Sequence, residues 1–169
     1  MHILRLFRPT FWVVILFACG LCAQAPPPDL VHKPAPAFAR RDLSGKKIKL
    51  RMYRGKVVLL NFWATWCAPC QVELPRFETW QKELGAQGLQ IVAVSMDDDA
   101  TPVRSTVRRL HLDFPVVMGD ARLGDEYGGV LGLPVTYLID RDGKIVAKFK
   151  GESDLDAMER EMELALHKR

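Results

Sequence analysis

The chain has 169 residues, 49% of them apolar, and a formal charge of +4. That length supports one well-buried core, and the composition excludes a disordered, collagen-like or multi-span membrane chain. Arg5 and Arg8 account for part of the excess charge, so the body is only mildly basic and gives no case for nucleic acid as a partner. Basic residues beyond the first segment are interleaved with acids, as in Arg40-Arg41-Asp42 and Glu159-Arg160-Glu161, the pattern of a solvated surface.

In chain order, His2, Arg5 and Arg8 precede an apolar run from Phe11 to Ala23, and no acid occurs before Asp29. A basic start followed by an apolar stretch shorter than the roughly 20 residues of a bilayer span predicts an export segment over 1–25. Ala23-Gln24-Ala25 fits a small-x-small cleavage site, whereas Pro26 after it opposes cleavage, so both a cleaved signal and a retained anchor stay open. Leu16-Phe17-Ala18-Cys19 is a poor lipidation site because of Phe17. Residues 26–36 carry Pro26, Pro27, Pro28, Pro34 and Pro36 and read as an extended linker, with order expected from about Phe38 in a domain over 37–169.

Short strands are predicted near 37–41 and 47–50, with a turn at Asp42–Lys47 between them and another turn at Arg54-Gly55-Lys56. The continuous apolar run Val57–Phe62 predicts a strand buried on both faces. Val72, Leu74, Phe77 and Trp80, spaced among charges, predict a helix from about Pro69 to Leu84, and Leu89–Ser95 predicts the next buried strand of a β-α-β unit. A second helix is expected to Leu112, with Thr101 as cap and Pro102 at the first helical position. A strand near 114–117 and a short helix near 123–127 follow. Val135–Ile139 and Lys144–Phe149 flank the turn Asp140-Arg141-Asp142-Gly143, a hairpin signal, and an amphipathic helix over 155–166 closes the chain.

Four cysteines occur. Cys19 and Cys22 fall in the export segment, leaving Cys67 and Cys70 as the thiols of the body. A disulfide closing so short a loop removes little entropy from the unfolded chain, which argues against a purely stabilising bridge. A cysteine at the start of a helix faces unpaired N–H groups and the positive end of the helix dipole, both of which favour thiolate. In Cys-x-x-Cys motifs at such positions the pKa falls from about 8.5 to roughly 3.5–7.5. The expected chemistry is attack by Cys67 on a disulfide and resolution by Cys70, one turn along the helix. Zinc would need a second ligand pair that the body lacks, and covalent haem would need His where Gln71 stands.

The segment Asn61-Phe62-Trp63-Ala64-Thr65-Trp66-Cys67-Ala68-Pro69-Cys70-Gln71-Val72-Glu73-Leu74-Pro75 resembles the active-site segment of the membrane-associated TlpA/ResA group of thioredoxin-like proteins, close to the cytochrome c maturation reductases. Gly132-Leu133-Pro134-Val135-Thr136-Tyr137-Leu138-Ile139-Asp140 is similar to that group's second motif, and the resemblance spans roughly 36–168. It implies an α/β thioredoxin fold: a central mixed β-sheet flanked by helices, an extra N-terminal β-hairpin, and a β-α insertion before the strand that follows a cis proline. It further implies a redox-active Cys67–Cys70 disulfide, a cis Leu133–Pro134 bond against that pair, and Leu133, Pro134, Trp66 and Pro69 as substrate-binding residues.

Glu73 is implied as the proton-transfer partner of the thiols, since Asn61 stands where cytoplasmic thioredoxins carry a buried Asp. The competing reading of Glu73 is a surface carboxylate favourable to the helix dipole. Trp63 reads equally as core or as a flank of the sulfur, Thr65 as structural, and His32, His111 and His167 as surface or linker residues. Pro75 is expected to bend the helix.

The resemblance implies a reductase of disulfides in selected exported proteins, periplasmic or on the outer face of the cytoplasmic membrane, monomeric, with no cofactor or metal, and recharged by a membrane thiol-electron transporter. A peroxiredoxin-like peroxidase is the first rival, but Asn61 and Phe62 lie where its site proline would fall and Thr65 is two residues, not three, before Cys67. A copper carrier would need a wider cysteine spacing. Intact Cys67 and Cys70 argue against a non-catalytic interaction module.

Overall fold

The computed structural model describes residues 29–130, 132–152 and 154–168. The export-segment, cleavage-site and lipidation readings lie outside those residues, as do Cys19 and Cys22.

Strands β1 (Ala39–Arg41) and β2 (Lys47–Lys49) form an antiparallel hairpin that runs into a 3-10 turn over Leu50–Tyr53. A five-stranded sheet is built from β3 (Val57–Trp63), β4 (Leu89–Ser95), β5 (Val116–Met118), β6 (Val135–Ile139) and β7 (Ile145–Lys150), in the spatial order β5-β4-β3-β6-β7. The β3/β4 and β4/β5 pairs are parallel, and β3/β6 and β6/β7 are antiparallel. Helices α1 (Ala68–Leu84), α2 (Ala100–Leu110), α3 (Ala121–Glu126) and α4 (Leu155–His167) complete the domain. This is the mixed, helix-flanked sheet of the thioredoxin fold, with the N-terminal hairpin and the β5–α3 insertion in place.

Every residue of β3 is buried, as a central strand covered on both faces must be. Alternation divides it. Val57, Leu59 and Trp63 pack with Leu74, Phe77 and Trp80 of α1 and Met158, Met162 and Leu166 of α4. Val58, Leu60 and Phe62 pack on the other face with Phe38, Ile48 and Leu50 of the hairpin region and with Leu123 and Tyr127 at α3. Trp63 thus belongs to the core rather than to an exposed flank.

Three expectations are corrected. Packing begins before Phe38: Leu30 is buried, His32 N–H donates to the Ile145 carbonyl at 2.8 Å, and Ile145 N–H donates to Lys33 at 2.9 Å. Residues 30–33 form a turn, with His32 at a φ of 68° and Lys33 N–H donating to Leu30 O at 3.0 Å, and the edge of β7 supplies the further hydrogen bonds. Helix α2 is capped by Asp99, whose carboxylate accepts from Thr101 N–H at 2.9 Å; Thr101 lies inside the helix, and Pro102 occupies a first-turn position whose N–H needs no partner. Strand β5 starts at Val116, not near Phe114.

Candidate active site

Strand β3 ends at Trp63, and the turn Ala64-Thr65-Trp66 carries the chain to Cys67, the N-cap residue of α1. Cys67 N–H donates to Ala64 O at 3.2 Å, and Gln71 N–H donates to Cys67 O at 3.3 Å, so the cysteine is tied to both the turn and the helix. Cys67 and Cys70 are joined by a disulfide with 5.3 Å between their Cα atoms. Cys70 N–H points at Cys67 Sγ, at 3.3 Å. Once the pair is reduced, that donor and the helix dipole both favour negative charge on Cys67. Pro69, in the first turn, forfeits an N–H that has no helical partner there.

The surroundings are apolar and lopsided in exposure. Cys70 is essentially buried and Cys67 is 5% exposed, while Trp66 beside it is 72% exposed and Val72, one turn on, 69%. An exposed tryptophan next to a nearly buried sulfur offers apolar contact area to an incoming chain. A groove of about 530 Å3 opens along the start of α1, lined by Ala68, Pro69, Val72 and Glu73 on one side and Glu152, Asp154, Leu155 and Asp156 on the other.

The structure places the other expected site residues as follows. Glu73 is 3% exposed, which removes the reading of a solvated surface glutamate. Asn61 is buried and donates from Nδ2 to Thr136 Oγ1 at 2.9 Å. The Leu133–Pro134 bond is cis, the isomer implied by the resemblance. Pro134 is buried with its carbonyl accepting from Gly151 N–H at 2.9 Å, and Leu133 packs against the cluster that contains Cys67 and Cys70. Pro75 sits within α1 without ending it. No group of His, Cys, Asp and Glu among the described residues is arranged to hold a metal.

One group escaped the sequence reading. Asp97, past the end of β4, accepts from Thr65 N–H at 3.0 Å, from Thr65 Oγ1 at 2.6 Å and from Ser95 Oγ at 2.8 Å. Gln71 adds a second brace, donating to Thr65 O at 3.3 Å and accepting from Arg109 at 2.8 Å. The turn that presents Cys67 is therefore clamped by a carboxylate from the neighbouring strand. The only clue in the sequence was the parallel order of β3 and β4, which brings their C-terminal ends together.

Residues 31–148 match the AhpC/TSA family. The chain belongs to that family. Within it, the chain is 38% identical over 129 residues to the thiol-disulfide oxidoreductase ResA of Bacillus thuringiensis subsp. konkukian, covering 76% of this chain and 75% of that protein. It is 40% identical over 118 residues to ResA of Bacillus subtilis, covering 69% and 65% of the two chains. The crystal structure of a putative thiol:disulfide interchange protein DsbE from Chlorobium tepidum superposes with a TM-score of 0.73 at 34% identity, over 79% of this chain and 95% of that one. This member of the AhpC/TSA family is a ResA-like thiol-disulfide oxidoreductase, an enzyme whose substrates are proteins bearing thiols or disulfides.

Proposed function

We propose that the enzyme reduces disulfides in selected exported proteins through Cys67 and Cys70. The observation that carries this reading is the Cys70 N–H aimed at Cys67 Sγ at the N-cap of α1, beside the exposed Trp66. In the reduced enzyme the Cys67 thiolate attacks one sulfur of a client disulfide, forming a mixed disulfide and releasing the other client sulfur as thiolate. Cys70 loses its proton and attacks Cys67 Sγ, which closes the Cys67–Cys70 disulfide and frees the second client sulfur. Two electrons have then passed from enzyme to client. Glu73, buried one turn beyond Cys70, takes up and returns the proton. Trp66, Pro69, Leu133 and Pro134 form the face on which the client lies.

The reading further assigns 1–25 to export or anchoring, with the proline-rich connection ending where Leu30 packs on the thioredoxin-like domain, which acts as a monomer outside the cytosol. Its support is the basic start and apolar run before Asp29. No helix among the described residues is long and apolar enough to cross a membrane. A reductant in an oxidising compartment must be recharged, so a membrane thiol-electron transporter supplies the two electrons. Cytochrome c maturation and oxidase assembly are the client settings suggested by the ResA resemblance.

Cys70→Ser tests the reading, because removal of the resolving thiol stalls exchange at the mixed disulfide. Expressed in an exporting cell, this variant is expected to accumulate Cys67-linked client adducts that dissolve on addition of a small thiol. Recovery of no adduct would sink the exchange mechanism.

A further inference from the structure

Charge is distributed unevenly along this chain. Residues 40–56 contain eight lysines and arginines and a single acid, Asp42, a net of +7, whereas residues 57–169 contain thirteen lysines and arginines and eighteen acids, a net of −5. The interleaving of basic and acidic residues holds for the later chain and fails over this stretch. The fold gathers these cations on the β1–β2 hairpin and the 3-10 turn, with Lys46, Lys47, Arg51, Arg54 and Lys56 exposed. Among the described residues, one ion pair engages the stretch, Arg40 to Asp120 at 2.7 Å.

Three observations give this basic face a direction and a kind of partner. Arg54 and Lys56 precede β3, and Cys67 follows the other end of that strand, about 20 Å away at about 3.3 Å per residue, while β1 runs beside β5 and carries the basic surface up the side of the domain. The chain also enters the domain at this end of the sheet. His32 and Lys33 pair with Ile145 beside the β6–β7 turn, and Gly55 N–H donates to Arg141 O at 2.9 Å on the same turn. The segment upstream contains the apolar run Phe11–Ala23. Finally, apolar surface lies among the cations: a groove of about 500 Å3 is lined by Ala37, Phe38, Ala39, Lys47, Lys49 and Arg51, and Met52 is 54% exposed.

We propose that this face docks on a bilayer surface rich in anionic phosphate headgroups. The lysines and arginines pair with headgroup phosphates, and Met52 and the groove floor occupy the interfacial layer. Docking through Arg51, Arg54 and Lys56 leaves Cys67 and Cys70 at the other end of β3, open to clients. An acidic protein would meet the same cations. The bilayer is favoured because the apolar run Phe11–Ala23 lies in the sequence just upstream of the chain that pairs with β7 beside Gly143 and Arg54. The inference leans on the export reading for its setting, but the docking itself belongs to the folded domain and is tested through lipid charge.

The full chain is mixed with vesicles of phosphatidylcholine alone and with vesicles containing phosphatidylglycerol, and its lysines are pulse-acetylated and read by mass spectrometry. On the anionic vesicles Lys46, Lys47, Lys49 and Lys56 are expected to label about threefold or more slowly, with the protection lost at about 1 M salt. Lys150, exposed and paired across from Val135 at the opposite end, serves as the unchanged internal standard. The combined variant Lys47→Glu, Lys49→Glu, Arg51→Glu is expected to lose the lipid-charge effect at Lys46 and Lys56 while reducing a soluble disulfide at the wild-type rate. Binding to anionic vesicles alone, with this protection, supports docking without an anchor. Equal labelling on the two lipids, protection that survives high salt, or association with neither vesicle overturns the proposal and leaves the thiol chemistry untouched.

Discussion

Thr65 spends both of its donors on one carboxylate: its amide and its hydroxyl bond to Asp97 at 3.0 and 2.6 Å. Hydrogen bonds to a charged acceptor contribute about 1.5–3 kcal/mol, so Thr65→Val is expected to destabilise the oxidised enzyme by about that amount. Thr65→Ser keeps the hydroxyl and should restore most of the loss. Denaturant unfolding of the three proteins checks this, and a stable Val variant beside a destabilised Ser variant would show that the methyl group, not the hydroxyl, matters. Glu73 carries the second prediction at this scale. Its side chain is buried one helical turn from Cys70, where a negative carboxylate opposes a second negative charge forming on the thiols. Glu73→Gln should therefore lower the pH midpoint of Cys67 alkylation, by up to about one unit. An unchanged profile would remove Glu73 from the mechanism.

At the scale of elements, Asp120 joins the hairpin to α3. Its carboxylate accepts from Leu123 N–H at 2.8 Å as the N-cap and from Arg40 at 2.7 Å. The cap hydrogen bond first, and then Arg40, hold its acidity below the ordinary carboxylate range. A carboxyl group more acidic in the folded than in the unfolded state stabilises the fold above its unfolded pKa, near 3.9, and that contribution fades as pH falls through the folded value. Asp120→Ala should thus lower the melting temperature at pH 7 and differ less from wild type at about pH 3, where the carboxylate is being lost. A difference of the same size at both pH values would assign the effect to packing alone.

What the sequence disclosed differs by element for physical reasons. Strand β3 and helix α1 are legible because burial on two faces forces a continuous apolar run, and one-sided burial forces helical spacing. The start of α2 was misplaced because Asp99, Thr101 and Pro102 all suit a helix N-terminus, and only backbone geometry chooses among them. Cys67 and Cys70 are legible from their spacing at a helix start, and Glu73 enters only through the resemblance. Asp97 is not legible, because its bonds to Thr65 cross 32 residues and depend on the parallel register of Trp63 with Ser95. Prolines likewise suggest an extended linker over 26–36 without reporting the turn at 30–33 or its pairing with β7.

At the scale of the whole molecule, all three tyrosines sit on the hairpin side of the sheet and tie the early chain to the core. Tyr127 Oη donates to Pro36 O at 2.7 Å, Tyr137 Oη donates to Tyr127 O, and the Tyr127 and Tyr137 rings lie 5.3 Å apart. Burial pushes the Tyr137 phenol up to about 12, helped by Asp29, and burial raises Tyr127 and Tyr53 as well. A phenol more weakly acidic in the folded state is favoured neutral by the fold, so its contribution is intact below the ordinary tyrosine value near 10 and is lost as pH climbs through the folded value. An unfolded chain should have most of its tyrosines ionised at about pH 10.5, and the folded enzyme well under half. Phenolate absorbance should then rise together with the loss of aromatic circular dichroism, because ionising Tyr127 and Tyr137 removes the donors that hold the early chain against the sheet. Full tyrosine ionisation with an ordinary midpoint, in protein that keeps its aromatic dichroism, would mean that this face is open to water and that the hairpin does not seal it.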